Sequence, residues 1–135
     1  MIDGGETGER LALVQHLFQP KAHAAPLHRH HAEDEYTDVL SGRIGAILDG
    51  EEVVAEPGDL IFKPRGWHIL WTAADEPASV LDVISPAGLV ELSRSFVNLT
   101  GMPDPQTLAG MAAKYHCDLD FDATFPIVGR HGLVF

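Results

Sequence analysis

Residues 26–42 read PLHRHHAEDEYTDVLSG, and this stretch decides both the fold and the candidate site. His28 and His30 are separated by one residue, so in a β-strand both side chains project from one face, about 6.5–7 Å apart along the strand. Two imidazoles that lean together from this separation can reach one metal ion at about 2.0–2.2 Å. Glu35, on what we expect to be the next strand, adds a carboxylate oxygen. The stretch therefore predicts a metal site built on two strands.

A later turn supplies a third histidine. The strand-like run Leu60–Lys63 is followed by the turn Pro64-Arg65-Gly66-Trp67 and then by His68. We expect His68 to bring a third imidazole to the same ion. Chance grouping is the alternative, because the chain contains eight histidines, but the carboxylate and the second turn at set distances favour a metal site. Imidazole is a borderline ligand, which favours Fe(II), Mn, Zn, Ni or Cu over Ca or Mg.

Composition limits the classes of function. The chain has 135 residues, which fits one domain, and 45% of them are hydrophobic. Nine Lys and Arg against 20 Asp and Glu give a net charge of −11, which argues against nucleic acid and against an anionic membrane surface as partners. No run approaches the roughly 20 apolar residues of a membrane helix, and the N-terminus lacks the features of an export signal. We therefore expect a cytoplasmic protein.

The first two thirds of the chain predict antiparallel β structure. Short runs of strand-forming residues are separated by Gly, Pro and Asp turn signals about every 8–12 residues, as in a β-sandwich or barrel. The expected strands are Leu11–Phe18, a short extended segment leading into His28, Tyr36–Leu40, Ile44–Leu48, Glu52–Glu56, Leu60–Lys63, His68–Thr72 and Ser79–Ser85. We place the barrel at about residues 10–86.

The remaining tail, about residues 87–135, has a helical period. Apolar residues recur at helical spacing in two stretches, first Leu89, Leu92, Phe96 and Leu99, and then Leu108, Met111, Ala112 and Tyr115. The end of the chain, Phe125–Phe135, is apolar, and we expect it to pack on the barrel; a lid over the barrel mouth is the alternative. Cys117, the only cysteine, is interpreted as a small filler near a helix end.

These motifs resemble those of the cupin superfamily, whose members are small jelly-roll β-barrels. His28-x-His30, four residues, Glu35, six residues and Gly42 match the first cupin motif, although Ala22 stands where that motif begins with Gly. The second motif is matched by Gly58, five residues and Pro64-x-Gly66. Only one residue separates Gly66 from His68, where the motif has two. The resemblance implies an all-β, cupin-type jelly-roll barrel of about eight antiparallel strands with a short helical tail, as a single domain over residues 1–135.

The resemblance also implies the ligand set. His28, His30, Glu35 and His68 take the places of the four family ligands. The short second motif leaves two alternatives, because a shift of one residue along a strand reverses the direction of a side chain. Either the turn absorbs the missing residue, or His68 points outward and leaves a triad of two histidines and a carboxylate, as in non-haem Fe(II) oxygenases.

The likeness is to small bacterial cupins described as quercetin-dioxygenase-like. It implies a metal-dependent enzyme of the non-haem oxygenase type, acting on a small organic substrate, phenols among the candidates, with Fe(II) preferred and Mn, Ni, Zn or Cu as alternatives. Glu35 would be a metal ligand and a catalytic base. A metal-assisted isomerase or cyclase and a binding protein without turnover are the other hypotheses. Cupins of this size are commonly dimers, so we expect a homodimer.

Strand alternation predicts what lines the interior. If Glu35 faces inward, Thr37 and Val39 do so too; if His68 faces inward, Leu70 and Thr72 follow it. The pocket would then be mostly apolar with a few hydroxyl groups. The strand His68–Thr72 is apolar on both faces, which requires a second covered surface. We expect the tail or a second subunit to supply it.

Overall fold

Nine β-strands occur in the part of the chain that the computed structural model describes, namely residues 2, 4–22, 25–63, 65–89 and 104–133. The strands are β1 (Ala12–Phe18), β2 (Leu27–His30), β3 (Asp34–Ser41), β4 (Ile44–Leu48), β5 (Glu51–Ala55), β6 (Leu60–Lys63), β7 (His68–Thr72), β8 (Ala78–Ser85) and β9 (Cys117–Asp120). The helices are α1 (Gly4–Thr7), α2 (Pro105–Ala113) and α3 (Phe121–His131), and a 3-10 turn covers Ala87–Leu89.

The strands form two antiparallel sheets. One has four strands in the order β1-β8-β3-β6, and the other has five in the order β5-β4-β7-β2-β9. Neighbours in the sheets are mostly distant in the chain, so the two halves of the sequence are interleaved. This order places β2 beside β7, and it places β3 on the opposite sheet.

An apolar core joins the two sheets. Side chains from both inner faces pack together in one cluster, which comprises Phe18, Val39, Ile44, Ala46, Ala55, Ile61, Leu70, Ala78 and Val80. The predicted alternation on β3 is confirmed, since Glu35, Thr37 and Val39 are buried while Tyr36 and Leu40 are exposed. This core fills one end of the interior.

The predicted second covered surface exists, and the C-terminal segment supplies it. Ile69 and Trp71, on the outer face of β7, pack in one cluster with Ile127 of α3 and with Leu133. Packing rather than a free end is therefore confirmed for the described part of the tail.

Helix α2 lies at the other end of the interior. Ala112 is buried in a cluster with Ala12, Ile84 and Cys117, and Met111 packs against it. The predicted stripe at Leu108–Tyr115 is thus helical, whereas the stripe at Leu92, Phe96 and Leu99 lies outside the described residues. In the described part of the chain, no helix is long and apolar enough to cross a bilayer.

One strand was not predicted from the sequence. Residues 117–120 form strand β9, which pairs with β2 in the register His28↔Leu119 and His30↔Cys117. Cys117 begins this strand, shortly after the end of α2 at Ala113. It is a buried filler, as expected, and burial raises the pKa of its thiol to about 12, with the nearby Glu35 acting in the same direction.

Candidate metal centre

Three histidines come together on two neighbouring strands of the five-stranded sheet, β2 and β7. His28 and His30 lie on β2, and His68 on β7 pairs directly with His28. The ring centroids of His28 and His68 are 4.2 Å apart, and that of His30 lies 4.9 Å from His28 and 5.3 Å from His68. One nitrogen from each ring lies within 4.8 Å of the other two.

The turn before β7 absorbs the missing residue of the second motif. His68 is only 2% exposed and faces the interior. The Asp49 backbone N–H donates to the Trp67 carbonyl at 2.7 Å, and His68 pairs with Leu48 of β4. This pairing sets the direction of every side chain on β7, because alternation then sends Leu70 and Thr72 inward with His68. The sequence left open whether His68 faces inward or outward, and the structure shows it facing inward. Pro64 of this turn lies outside the described residues.

Backbone contacts orient two of the rings. His28 Nδ1 lies 2.7 Å from the Pro26 carbonyl, and His68 Nδ1 lies 3.3 Å from the Gly66 carbonyl. A carbonyl only accepts hydrogen bonds, so the proton of each ring is on Nδ1 and the lone pair on Nε2. This is how metal-binding histidines are held in proteins.

Three of the remaining ring nitrogens are buried without a hydrogen bond of good geometry. They are both nitrogens of His30 and Nε2 of His68, although His30 Nε2 lies 3.2 Å from Glu35 Oε1. A buried polar atom without a partner costs free energy, of the order of 1–3 kcal/mol. Three imidazoles with nitrogens grouped in this way suit a divalent transition metal, so the residues fit the metal that the sequence predicts.

The protonation state of the imidazoles agrees with this. Burial, and to a smaller extent the neighbouring His30, lowers the pKa of His28 to about 4. Burial and His28 also lower the pKa of His68 well below its ordinary value. Neutral imidazole is the form that binds metals.

Glu35 reaches the cluster from β3 of the opposite sheet. Its Oε1 lies 3.2 Å from His30 Nε2, and its Oε2 lies 3.8 Å from His68 Nε2. Glu35 is 6% exposed. The four residues predicted from the sequence are therefore close together, although the compact group consists of the three histidines without Glu35.

The sequence interpretation missed a buried lysine beside Glu35. Lys63 is 4% exposed, and its Nζ lies 2.6 Å from Glu35 Oε2 and 3.4 Å from Asp82 Oδ1. Strand alternation could have found it, because Lys63 follows the buried Ile61 at a spacing of two on β6. The interior next to the histidines is thus charged, and the prediction of apolar residues with a few hydroxyls is wrong for this layer.

Asp82 connects this layer to the first strand. Its carboxylate accepts a hydrogen bond from the Thr37 hydroxyl, and its Oδ2 lies 3.1 Å from Nε2 of the half-exposed His16. The chain of polar contacts therefore runs from the histidine cluster through Glu35, Lys63 and Asp82 to the edge strand β1.

The three buried charged groups, Glu35, Asp82 and Lys63, help to keep one another ionised. Burial alone would raise the pKa of Glu35 and of Asp82. Lys63, together with the histidines and the Thr37 hydroxyl that lie against these carboxylates, outweighs burial, so both pKa values are lowered. Burial alone would lower the pKa of Lys63, yet Glu35 and Asp82 raise it. Two carboxylates and one ammonium group therefore stay ionised at neutral pH.

Three other potential metal-binding side chains of the stretch at residues 26–42 lie outside the compact group. Asp34 lies at the rim 3.5 Å from Arg65, and His31 is exposed and contacts Asp118 at 2.6 Å. Glu33 is buried, its Oε2 has no hydrogen-bond partner, and burial raises the pKa of its carboxyl. Glu33 does not belong to the compact group of nitrogen atoms.

A depression reaches His68 from the surface. It has a volume of about 240 Å³. Its lining residues are Leu48, Asp49, Phe62, Gly66, Trp67 and His68. Beside it, the Arg29 guanidinium lies 4.8 Å from the centre of the Trp67 ring. The walls are mostly apolar and aromatic, which suits a small organic molecule.

Comparison with known families agrees with the sheet order and the histidine motif. Residues 14–84, more than half of the chain, match the family described as Cupin domain. The chain belongs to this cupin family. A search of the curated proteins found no match.

Several solved structures share this fold. A sugar phosphate isomerase from Silicibacter pomeroyi is 26% identical, with a TM-score of 0.56, over 63% of this chain and 57% of its own. This cupin therefore spans less than two thirds of that isomerase. The protein TT1209 of Thermus thermophilus is 26% identical, with a TM-score of 0.54, over 58% of this chain and 74% of its own. KdgF of Halomonas is 27% identical, with a TM-score of 0.53, over 58% of this chain and 70% of its own.

Proposed function

We propose that this cupin is a metal-dependent enzyme acting on a small organic molecule. The observation that carries the proposal is the group of three buried imidazoles whose nitrogens lie within 4.8 Å of one another. His28, His30 and His68 are the proposed ligands. Glu35 is the candidate fourth ligand and the candidate proton acceptor. Bound there, a divalent transition metal supplies either redox chemistry with dioxygen or Lewis-acid polarisation of a substrate carbonyl.

The first reaction class is that of a non-haem oxygenase with Fe(II). A set of histidines with one carboxylate suits this metal, and the apolar walls of the depression beside His68 suit a flat substrate such as a phenol. In this proposal the protein excludes bulk water, orients the substrate against Trp67 and keeps Glu35 ionised to accept a proton. The resemblance to quercetin-dioxygenase-like cupins supports this class.

The second class is a metal-assisted isomerase or cyclase. The likeness to a sugar phosphate isomerase favours it, and so do the two ionised carboxylates, Glu35 and Asp82, which can move a proton without a redox step. Such an enzyme would work with Zn and would need no oxygen.

One experiment tests the proposal and separates these classes. Protein purified without added metal is analysed for its elements, loaded with Fe(II) or Zn(II), and incubated with phenols or with aldose and ketose phosphates, with and without oxygen. We expect a bound transition metal and oxygen uptake with a phenol. Turnover of sugar phosphates by the Zn form without oxygen would assign the second class, and metal binding without turnover in any arm would assign a binding protein.

A matched pair of variants makes this experiment specific. The double variant H28A/H30A should stay folded and lose the metal, because neither histidine belongs to the apolar core cluster that joins the sheets. H31A should keep the metal, because the His31 ring is exposed and its Nε2 contacts Asp118 instead of the histidine cluster. A wild-type protein that contains no metal and takes none up would refute the proposal.

We also propose that the protein is a homodimer. The outer face of the four-stranded sheet supports this, because it carries exposed apolar side chains that no helix covers in the described residues. They include Leu17, Tyr36, Leu40, Leu60 and Phe62. The cytoplasmic location and the absence of a nucleic-acid partner stay predictions from the sequence.

A further inference from the structure

An acidic side chain lies in the wall of the depression that reaches His68. Among the described residues that line the depression, Asp49 is the acidic one, and no lysine or arginine occurs. Apart from His68, the remaining lining side chains are apolar or aromatic, namely Leu48, Phe62 and Trp67. A ligand that reaches His68 from the surface therefore meets one carboxylate among apolar walls.

Backbone geometry fixes the place of this carboxylate. Asp49 and Gly50 form the turn between β4 and β5, with φ angles of 53° and 88°. The Asp49 N–H donates to the Trp67 carbonyl at 2.7 Å. A Cβ atom on Gly66 would lie 2.8 Å from Asp49 Oδ1. The carboxylate thus lies directly against the turn that leads into β7 and His68.

The Asp49 carboxylate is available to a ligand. Its side chain is exposed. The cations of the neighbouring segments are engaged elsewhere, because Arg65 pairs with Asp34 at 3.5 Å and Arg29 pairs with Asp118 at 2.7 Å. Within the described part of the chain, neither oxygen of the Asp49 carboxylate has an ion-pair partner.

Two aromatic rings of the depression are held in place by their neighbours. Phe62 stacks on Tyr36, with ring centroids 5.0 Å apart and an interplanar angle of 23°. The Arg29 guanidinium lies 4.8 Å from the centre of the Trp67 ring. The volume of about 240 Å³ is below the roughly 300–1,000 Å³ of pockets for drug-sized molecules. One aromatic ring with small substituents is therefore the size of ligand that fits.

We propose that Asp49 is a specificity-determining residue, through which the depression selects a single aromatic ring bearing a hydroxyl or amino group and rejects phosphate esters. This inference rests on the proposed enzyme and narrows its substrate class. It favours phenols over sugar phosphates as substrates.

The chemistry of the carboxylate carries the selectivity. Hydrogen bonds to an ionised acceptor are stronger than neutral ones, and aromatic hydroxyl and amino groups can donate them. A phosphate ester instead brings negative charge toward the like charge of Asp49. Lys63 does not offset this repulsion, because Glu35 and Asp82 engage its ammonium group. The net charge of −11 acts in the same direction.

The test measures where three small probes bind and how tightly. Catechol carries hydroxyl groups, veratrole carries methoxy groups in their place, and phenyl phosphate carries an anionic group on the same ring. NMR titrations of the Zn(II) form locate each probe through the amide signal of Gly66 and the indole signal of Trp67. The metal-free protein is titrated in parallel, since catechol cannot chelate a metal there.

The variants are D49N and its matched control D75N. Asn-Gly is a favoured pair in a two-residue hairpin turn, so D49N keeps the backbone of the turn. Asp75 is exposed and follows β7, at the opposite end of that strand from His68. D75N therefore removes the same charge away from the depression.

We expect wild-type protein to bind catechol about tenfold more tightly than veratrole or phenyl phosphate. In D49N the preference for catechol over phenyl phosphate should fall about tenfold, whereas in D75N it should stay within about twofold of wild type. Added salt should weaken the discrimination against phenyl phosphate, because it screens the repulsion. The effect of D49N should occur in both metal states, because Asp49 is not a proposed ligand.

The contrary results are equally defined. The inference is wrong if veratrole or phenyl phosphate binds as tightly as catechol, if D49N keeps the wild-type preference, or if catechol does not bind at Gly66 and Trp67. Metal content, measured on the same samples, keeps the two proposals apart. If the protein takes up no metal, the proposed enzyme fails, while the titrations of the metal-free form still decide the role of Asp49.

Discussion

Gly45, the second residue of β4, lies against the ring of Trp71, and this contact explains why a residue without a side chain occupies a strand. A Cβ atom at this position would overlap the indole ring. Trp71 is 2% exposed and also stacks near His131, with ring centroids 4.5 Å apart. The indole therefore has little room to move.

We predict that Gly45→Ala destabilises the protein by about 1–3 kcal/mol, the usual cost of overpacking a core. Urea unfolding followed by tryptophan fluorescence measures this. Gly110→Ala is the matched control: its Cβ meets nothing within 4 Å, and alanine in a helix interior should stabilise by about 0.5–1 kcal/mol. A Gly45→Ala protein as stable as wild type would contradict the packing argument.

Single residues also show how far the site could be predicted. That His28 and His30 share a face follows from their spacing alone, since strand alternation is a local property. Glu35 follows from the spacing of the cupin motif. The direction of His68 does not, because it depends on its pairing with Leu48, a contact between separate parts of the chain. Lys63 was within reach of the same alternation, but a lysine in an inward position is informative only once its carboxylate partners are known.

At the scale of elements, helix α3 holds the strand that carries the histidines. The Thr124 hydroxyl donates to the Asp120 carbonyl at 2.5 Å and accepts from the Leu27 backbone N–H at 2.8 Å. Thr124 is fully buried. Because Leu27 immediately precedes His28, this hydroxyl fixes the start of β2.

We predict that Thr124→Val lowers the free energy of unfolding by about 1–3 kcal/mol, since the Leu27 N–H loses its partner in a buried place. It should also weaken Co(II) binding, because β2 is less well held. Thr124→Ser keeps the hydroxyl and should retain the affinity for Co(II). Equal Co(II) affinities in the valine and serine variants would show that α3 does not position the site. Thermal unfolding and metal titration provide the measurements.

The elements differ in how well the sequence predicts them. Strands β4, β6 and β7 have the predicted bounds, because Gly and Pro turns delimit them. Strand β9 has four residues, and it forms by pairing with β2 from a distant part of the chain. Nothing in the local sequence of residues 117–120 indicates a strand, so it could not be predicted.

For the whole molecule, the two sheets differ on their outer faces. Helix α3 covers the five-stranded sheet, whereas the four-stranded sheet exposes Leu17 at 75% and Leu60 at 65%. Several exposed apolar side chains on one face often mark an interaction site. The large negative charge does not prevent association there, because the exposed side chains at the centre are mostly uncharged.

We predict that wild-type protein is a dimer in light scattering at micromolar concentration and that the double variant L17S/L60S is a monomer. V54S is the matched control, since Val54 is also exposed but belongs to the five-stranded sheet. It should leave the mass unchanged. A monomeric wild type, or a double variant that remains dimeric, would exclude this face as the interface.

Strand β9 has a consequence for how the chain tolerates shortening. It is hydrogen-bonded to the backbone of β2, which would otherwise be an edge strand of the five-stranded sheet. A chain cut before Cys117 would leave those amides and carbonyls open to strands from other molecules, a known route to fibrils. The C-terminal segment thus protects the edge of the sheet against self-assembly. A jelly roll truncated before this segment would lose that protection.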